Sequence, residues 1–405
     1  MFSIAARSFL PGLALFATCA FPQTTTIRAA TLLDGKGGVQ KNVRITVEGS
    51  KITRVEPGGR GPVTYDLGNA TLMPGLIDTH IHMDGHFNKD GRADTKAESP
   101  AEFALRMQGT AWGILQGGFT TVQSLGAEQD KILRDLINDG VVAGPRILTS
   151  LGSFNEKSGT PEQLRVKVRQ KIADGADVIK LFATASSRDG GKQTMTDAQI
   201  TAACSEAKAQ GKRVAVHAHA AGGARPAVIS GCTSIEHGTF LTDDVLDEMA
   251  KRGVYLDTNL SNVSNYLNHR KNYLGIGNFT EKGFGEMAKD LPIRIDTLRR
   301  AMAKKVKIVM GTDMVAGFDG HNSEELVLRV RDGHQPAMDA VISATSRAAE
   351  SLGLSDKVGA VATGMEADLV ATSANPLDDI TTVRNVIFVM KGGKVYRNIP
   401  GAAKP

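Results

Sequence analysis

Pro74-Gly75-Leu76-Ile77-Asp78-Thr79-His80-Ile81-His82 carries an apolar run, begun at Thr71, straight into two histidines one residue apart. In an extended chain, residues two apart point to the same side. His80 and His82 therefore project together from the C-terminal end of a strand. An isolated His-x-His is a common surface accident, but four later strand ends carry similar groups. Val178-Ile179-Lys180-Leu181-Phe182 places a lysine inside an apolar strand. Val214-Ala215-Val216-His217-Ala218-His219 ends in a second His-x-His. Ser234-Ile235-Glu236-His237-Gly238 and Ile308-Val309-Met310-Gly311-Thr312-Asp313 end in a histidine and an aspartate.

Between these strands lie helical stretches with explicit start signals. Ser99-Pro100-Ala101-Glu102, Thr160-Pro161-Glu162-Gln163 and Thr196-Asp197-Ala198-Gln199 all read as capping boxes, the first two with proline at the first helical position. Candidate strands end near His82, Ser124, Ser150, Leu181, Ala218, His237, Leu260 and Thr312. Eight β/α units over 76–360 predict an α/β fold of the (β/α)8 TIM-barrel type, whose active sites lie at the C-terminal strand ends. A doubly wound open sheet is the alternative, but no Gly-x-Gly-x-x-Gly follows the first strand.

The flanks read differently. Val43 to Val47 and Ile52 to Val55 bracket Glu48-Gly49-Ser50-Lys51, a hairpin signal. Asp368 to Thr372, Val386 to Met390 and Val395-Tyr396 do the same around Lys391-Gly392-Gly393-Lys394. The expected organisation is a small β-sandwich domain built from both ends, 21–75 and 361–405, beside a barrel at 76–360. Residues 1–20 read as a signal peptide: Arg7 is the only charge, Phe9 to Ala17 is apolar, and Thr18 and Ala20 are small. Cleavage after Ala20 is expected, with a periplasmic or secreted product. A lipoprotein through Cys19 fits less well, because Phe16-Ala17-Thr18 precedes it.

The chain has 405 residues, 41% hydrophobic and 22% charged, which allows a sizeable core and excludes wholesale disorder. Its net charge of +5 is spread without a basic block, and aromatics are 5%, so nucleic acid is not an expected partner. No apolar run is long enough to span a bilayer. With three cysteines in the chain, disulfides are not expected to carry the fold. Cys204 and Cys232 read as packing residues.

Neutral imidazoles and a carboxylate are ligands for Zn²⁺ and similar ions. A lysine with the ordinary pKa of about 10.4 is not one. Buried among them, however, its pKa falls, and the neutral amine can add CO₂ to become an anionic carbamate able to bridge two metals. Read in isolation, Lys180 would pair with a nearby carboxylate.

These motifs resemble the amidohydrolase superfamily across nearly the whole chain. The strand-one Pro74–His82 stretch, Lys180, His217, His237, Asp313 and Gly364-Met365-Glu366-Ala367-Asp368-Leu369-Val370 carry the likeness. His217-Ala218-His219-Ala220 and Gly311-Thr312-Asp313 with Gly320-His321-Asn322 point to the binuclear branch of Xaa-Pro dipeptidase-like, Xaa-Arg/Lys carboxypeptidase-like and ochratoxin-hydrolysing enzymes. The resemblance implies two divalent metal ions, zinc being the first expectation. His80, His82 and Asp313 would hold one, His217 and His237 the other, and N6-carboxylated Lys180 would bridge. It also implies homo-oligomers, often octamers.

The expected substrate is a small molecule with an amide bond, a dipeptide or N-acyl amino acid that releases its C-terminal residue. Asp313 is the expected proton acceptor and donor. His219 is assigned to the carbonyl oxygen or oxyanion, with support of His217 as the competing role. His321, on a Gly-rich loop, and Tyr266 and Arg270, beyond strand seven, are candidate substrate contacts. Surface-loop histidine is the default for His321, as for His86, His269 and His334. Residues 258–275 match no subfamily pattern. Another bond, such as a lactone, cyclic imide or organophosphate ester, is the alternative reaction. A non-catalytic relative would be expected to have lost metal ligands, and all six are present here.

Overall fold

The computed structural model describes residues 24–399 and Gly401; the expected signal peptide lies outside them. Five strands precede the first histidine pair or lead into it: β1 (Thr24–Leu33), β2 (Val39–Glu48), β3 (Lys51–Pro57), β4 (Tyr65–Asp66) and β5 (Thr71–Pro74). The central strands are β6 (Leu76–Ile81), β7 (Phe119–Ser124), β8 (Arg146–Thr149), β9 (Ser153–Phe154), β10 (Val178–Phe182), β11 (Arg213–Ala220), β12 (Ser234–Phe240), β13 (Tyr255–Asp257) and β14 (Lys307–Ile308). The last are β15 (Leu369–Thr372), β16 (Val386–Lys391) and β17 (Lys394–Asn398).

The two ends of the chain share one eight-stranded sheet, ordered β17-β16-β15-β5-β1-β2-β3 with β4 on β1. Alternation sorts its side chains by face. Ile27, Ile45, Ile52, Leu72, Leu369 and Phe388 form one apolar cluster drawn from both ends of the path. Met73, Val370 and Val389 point the other way, into the cluster beneath helix Pro100–Gln116. The Ile52 N–H donates to the Met365 carbonyl and the Ala367 N–H to Ser50, so the β2–β3 hairpin returns onto the C-terminal strands. The strands expected to face each other as a sandwich thus belong to one hydrogen-bonded path.

The central strands are parallel. They form a three-stranded sheet, β6-β7-β8, and a six-stranded sheet, β14-β13-β12-β11-β10-β9. The sheets are tied at both seams. On one side the Asp177 N–H donates to Thr149 O at 2.8 Å. On the other, Thr79 N–H reaches Met310 O at 2.9 Å and Asp313 N–H reaches His80 O at 2.7 Å. Gly75 is the crossing between the terminal sheet and β6; any Cβ there would run into the Thr120 side chain.

Strands occur at each of the eight anticipated central positions, with two corrections besides the early end of β14 at Ile308, not near Thr312, which leaves Asp313 on the irregular segment beyond the strand it was expected to close. β13 stops at Asp257, not near Leu260, which instead opens helix Leu260–Asn268. Asn259 causes the break: it sits in the left-handed region (φ 49°) and donates its side-chain amide to Gly311 O. The second is the added short strand β9. The capping boxes at Thr160 and Thr196 close in both directions. At Ser99 only the forward half forms, because Glu102 turns to Arg106 instead of back to the cap.

Cys204 and Cys232 are also corrected: they are disulfide-bonded, with Cα atoms 5.4 Å apart. Both are buried in the apolar cluster between helix Asp197–Ala209 and β12. Sequence distance hid the pair, because helix, strand and helix intervene before the chain returns. Among the described residues no helix is long and apolar enough to cross a membrane. Chain-entropy arguments give a bridge closing a loop of 28 residues a worth of about 3–4 kcal/mol. The double variant Cys204→Ser/Cys232→Ser should lose about that much in denaturant unfolding under non-reducing conditions. Unchanged unfolding would show that the bridge does not contribute.

Candidate metal centre

Asp78 organises the C-terminal rim of β6. It is fully buried and its carboxylate accepts four hydrogen bonds: from His80 N–H and Thr312 N–H (both 3.1 Å), Thr312 hydroxyl (2.7 Å) and Asn322 amide (2.8 Å). Burial still wins over these donors and pushes its carboxyl up to about 7. The donors come from β6 and from the segment after β14, so the network brings the first and last histidine- or aspartate-bearing strand ends together.

His80 sits at the centre. Its Nε2 lies 3.3 Å from Lys180 Nζ and 3.2 Å from Asp313 Oδ1. His82 Nε2 lies 3.0 Å from the same carboxylate oxygen. Burial would raise the Asp313 carboxyl, but His80, His82 and Lys180 together hold it below the ordinary aspartate range. Burial lowers Lys180 from the ordinary lysine value, and lowers His80 well below the usual imidazole value with Lys180 assisting. Behind His80, Nδ1 meets Glu236 Oε2 at 3.0 Å. The carboxylate faces Nδ1 without a hydrogen bond closing between them, while Nε2 is turned to Lys180 and Asp313. Burial and then the Glu236 charge raise Asp257 well above the ordinary carboxyl value, and burial raises Glu236 as well.

The second cluster is His217, His219 and His237. His219 stacks on His237 with ring centroids 4.7 Å apart, and its Nδ1 lies 2.8 Å from the Thr239 hydroxyl. Burial, then neighbouring histidines and cations, keeps all three rings neutral. His217 Nε2 and His237 Nδ1 are buried without a hydrogen-bond partner. Orphaned neutral imidazole nitrogens are rare unless an electrophile completes them. Ligand atoms of His80, His82 and Asp313, and of His217, His219 and His237, lie within 4.8 Å of one another in each group. The donor sets therefore fit divalent metal. His219, expected to be spare, falls inside its group. His237 (φ 73°) and Asp313 (φ 52°) are held in the left-handed region, a strain that recurs where a site fixes side-chain direction.

Both clusters line one cleft of about 550 Å³, with Lys180, Phe182, Arg188, Asn262, Tyr266 and Arg294 among its walls. Tyr266 thus lies where expected. Arg270 does not: it is half-exposed and paired with Glu281, because helix Arg270–Tyr273 turns it outward. His321 is exposed and lines a separate surface pocket with His269. His86 is bonded to Glu98 at 2.7 Å, and His334 lies in the turn before helix Ala337–Ser343. Sequence reading missed Arg188, Arg294, Asn262 and the supporting roles of Asp78, Glu236 and Asp257. Asp78 and Glu236 had a signal, standing in quoted motifs two residues before His80 and beside His237.

Glu236→Gln keeps the shape behind His80 but loses the carboxylate that faces its Nδ1 at 3.0 Å. Metal affinity should fall about 10–100-fold, read by competition with a chromophoric chelator. Wild-type affinity would show that Glu236 does not tune His80.

The amidohydrolase family pattern matches residues 71–396. Ochratoxinase from Aspergillus niger is 26% identical over 431 aligned positions, covering 94% of this chain and 88% of the relative. A crystal structure of a Xaa-Pro dipeptidase with methionine bound in its active site superposes with a TM-score of 0.84 at 32% identity, covering 93% of this chain and 100% of that one. The crystal structure of the Aspergillus niger ochratoxinase superposes with a TM-score of 0.80 at 24% identity, over 95% and 99% of the two chains. With its polar groups gathered at the ends of parallel strands and the family pattern running through them, the chain belongs to the amidohydrolase family and is a hydrolytic enzyme.

Proposed function

We propose that this enzyme cleaves amide bonds and releases the C-terminal residue of a dipeptide or N-acyl amino acid, amides of the ochratoxin type included. The observation that carries the reading is the convergence of His80, Lys180 and Asp313 beside three neutral histidines in one cleft. The likeness to a dipeptidase and to ochratoxinase supports the amide as the bond.

His80, His82 and Asp313 would hold one divalent ion, and His217 and His237 a second, with zinc suited to this nitrogen and oxygen set. Such ions supply Lewis acidity and acidify a water near neutral pH. Lys180 is the proposed bridge. It is 1% exposed and its ammonium is disfavoured by burial, so its neutral amine can add CO₂, forming the N–C bond and releasing a proton. Asp313, held ionised, accepts the proton of the attacking water and returns it to the departing amine. His219 and Tyr266 stand on the same cleft and would steady the carbonyl oxygen as charge develops there. Phe182 packs its ring on His217 at 4.7 Å and keeps water from that side.

We read the two parallel sheets, tied at both seams, as one (β/α)8 barrel, with the terminal sheet curled beside it as the small β domain. Export to an oxidising compartment is the proposed location, supported by the N-terminal segment and by the Cys204–Cys232 bridge. Homo-oligomers, octamers included, are proposed from the family resemblance alone.

Metal analysis tests the core of this reading. The purified protein should carry bound divalent metal and lose activity on chelation; protein without metal and indifferent to chelators would end it. Lys180→Ala should lose activity on the order of 10²-fold or more and regain part of it with added short carboxylic acids. Full activity without them would refute the bridge. A panel of N-acyl amino acids and dipeptides should be hydrolysed; cleavage of lactones or phosphoesters alone would overturn the amide assignment.

A further inference from the structure

The loop that leaves β6 just after His82 is ordered by its own side chains. His86 Nε2 meets Glu98 Oε2 at 2.7 Å and joins the two ends of the loop, and Arg106 Nη1 donates to Phe87 O at 3.2 Å. Asn88 shapes the tip. Its side-chain oxygen accepts from Asp90 N–H and Arg92 N–H, both at 2.9 Å, and its amide donates to Asp94 O at 2.7 Å. The Asn88 N–H donates to Arg92 O at 2.8 Å. Compact surface loops with joined ends often carry function, and this one presents Arg92 in a fixed place.

The tip grips helix Arg270–Tyr273. A helix leaves its last carbonyls without partners of its own, and an arginine side chain can supply them. Arg92 Nη1 donates to Lys271 O at 2.6 Å and Nη2 to Leu274 O at 2.5 Å. Beside them, Ala93 N–H donates to Asn272 O at 3.1 Å, and the Asn272 amide donates back to Gly91 O at 2.6 Å. One planar fork thus holds two carbonyls three residues apart, which the point charge of a lysine does not match.

The gripped helix backs a wall of the cleft. Phe87 packs edge-on to Tyr273 with ring centroids 5.7 Å apart, and Tyr273 packs edge-on to Tyr266 at 4.9 Å. Val263, Tyr266, Tyr273, Phe284, Met287 and Ala316 form an apolar cluster of their own, apart from the clusters around the central strands. Two sets of bonds hold its 260–274 segment. On one side Asn262, Asn265 and the Tyr273 hydroxyl donate to the carbonyls of Asp313 and Ala316. On the other stands the loop with Arg92.

We propose that Arg92 is a positioning residue: by latching helix Arg270–Tyr273 it sets where Tyr266 stands in the cleft. The proposal rests on the amide-hydrolase reading above, in which Tyr266 steadies the substrate carbonyl oxygen. A single stretch of chain then spaces two parts of the site. Its root carries His80 and His82, and its tip fixes the segment that bears Tyr266.

Amide hydrogen exchange tests the latch without any substrate. Arg92→Ala should speed exchange across 260–274 by about 10-fold and leave β6 and β12 at the wild-type rate, with Arg92→Lys in between. Turnover of an N-acyl amino acid tests the consequence. Arg92→Ala should lose about 10-fold in kcat, Tyr266→Phe should also lose kcat, and the double variant should lose little more than Tyr266→Phe alone. Unchanged exchange, or acceleration spread equally over β6 and β12, would overturn the proposal. So would a harmless Tyr266→Phe, or single losses that multiply in the double variant to within about twofold. A wild-type enzyme that hydrolyses no amide would overturn the amide reading instead, and the exchange rates would still decide the latch.

Discussion

The buried carboxylate of Asp78 is the constraint on which the site depends. A carboxylate taken fully out of water is unstable unless donors surround it, and here His80, Thr312 and Asn322 supply four hydrogen bonds. Those donors belong to two strand ends separated by more than two hundred residues. Satisfying Asp78 therefore forces β6 against the segment after β14. The backbone bond from Asp313 N–H to His80 O then follows, and with it the contact between their side chains.

From that anchor the polar interior grows outward in layers. Glu236 and Asp257 lie behind His80, and Asn259 ties β13 to Gly311 and to the His237 N–H. Gly311 has no alternative, since a Cβ there would collide with the Asp257 carboxylate and crowd His80. Glu236, Asp313 and Asp257 all favour a charged Lys180, but burial outweighs them and lowers it. The cleft arginines Arg188 and Arg294 both act on Asp290, and Asp313 acts on Arg294.

Much of this was legible from residue order. Side chains two apart on a strand share a face, so His80 with His82 and His217 with His219 could be paired before any coordinates. Lys180 lay inside its apolar run and His237 and Asp313 closed theirs, and an apolar run is a local property. The capping boxes at Thr160 and Thr196 are local too, and both formed. Ser99 shows the limit: Glu102 had a competing partner in Arg106, one turn along, which pattern alone does not rank. Arg188, Arg294 and Asn262 gave no signal, because each lies on a turn or helix whose approach to the cleft depends on how that element packs.

The residue sequence by itself determined the class of fold and the chemistry of the strand ends, because period-two burial and the ligand types are written in neighbouring residues. Only the tertiary structure decided what surrounds them. It paired Cys204 with Cys232, ended β13 at Asp257, and sent Arg270 and His321 away from the cleft while bringing Arg188 and Arg294 into it. The physical reason is one of range. Strand periodicity and capping act over a few residues, whereas the pairing of buried charges is settled between segments that meet only when the chain has folded.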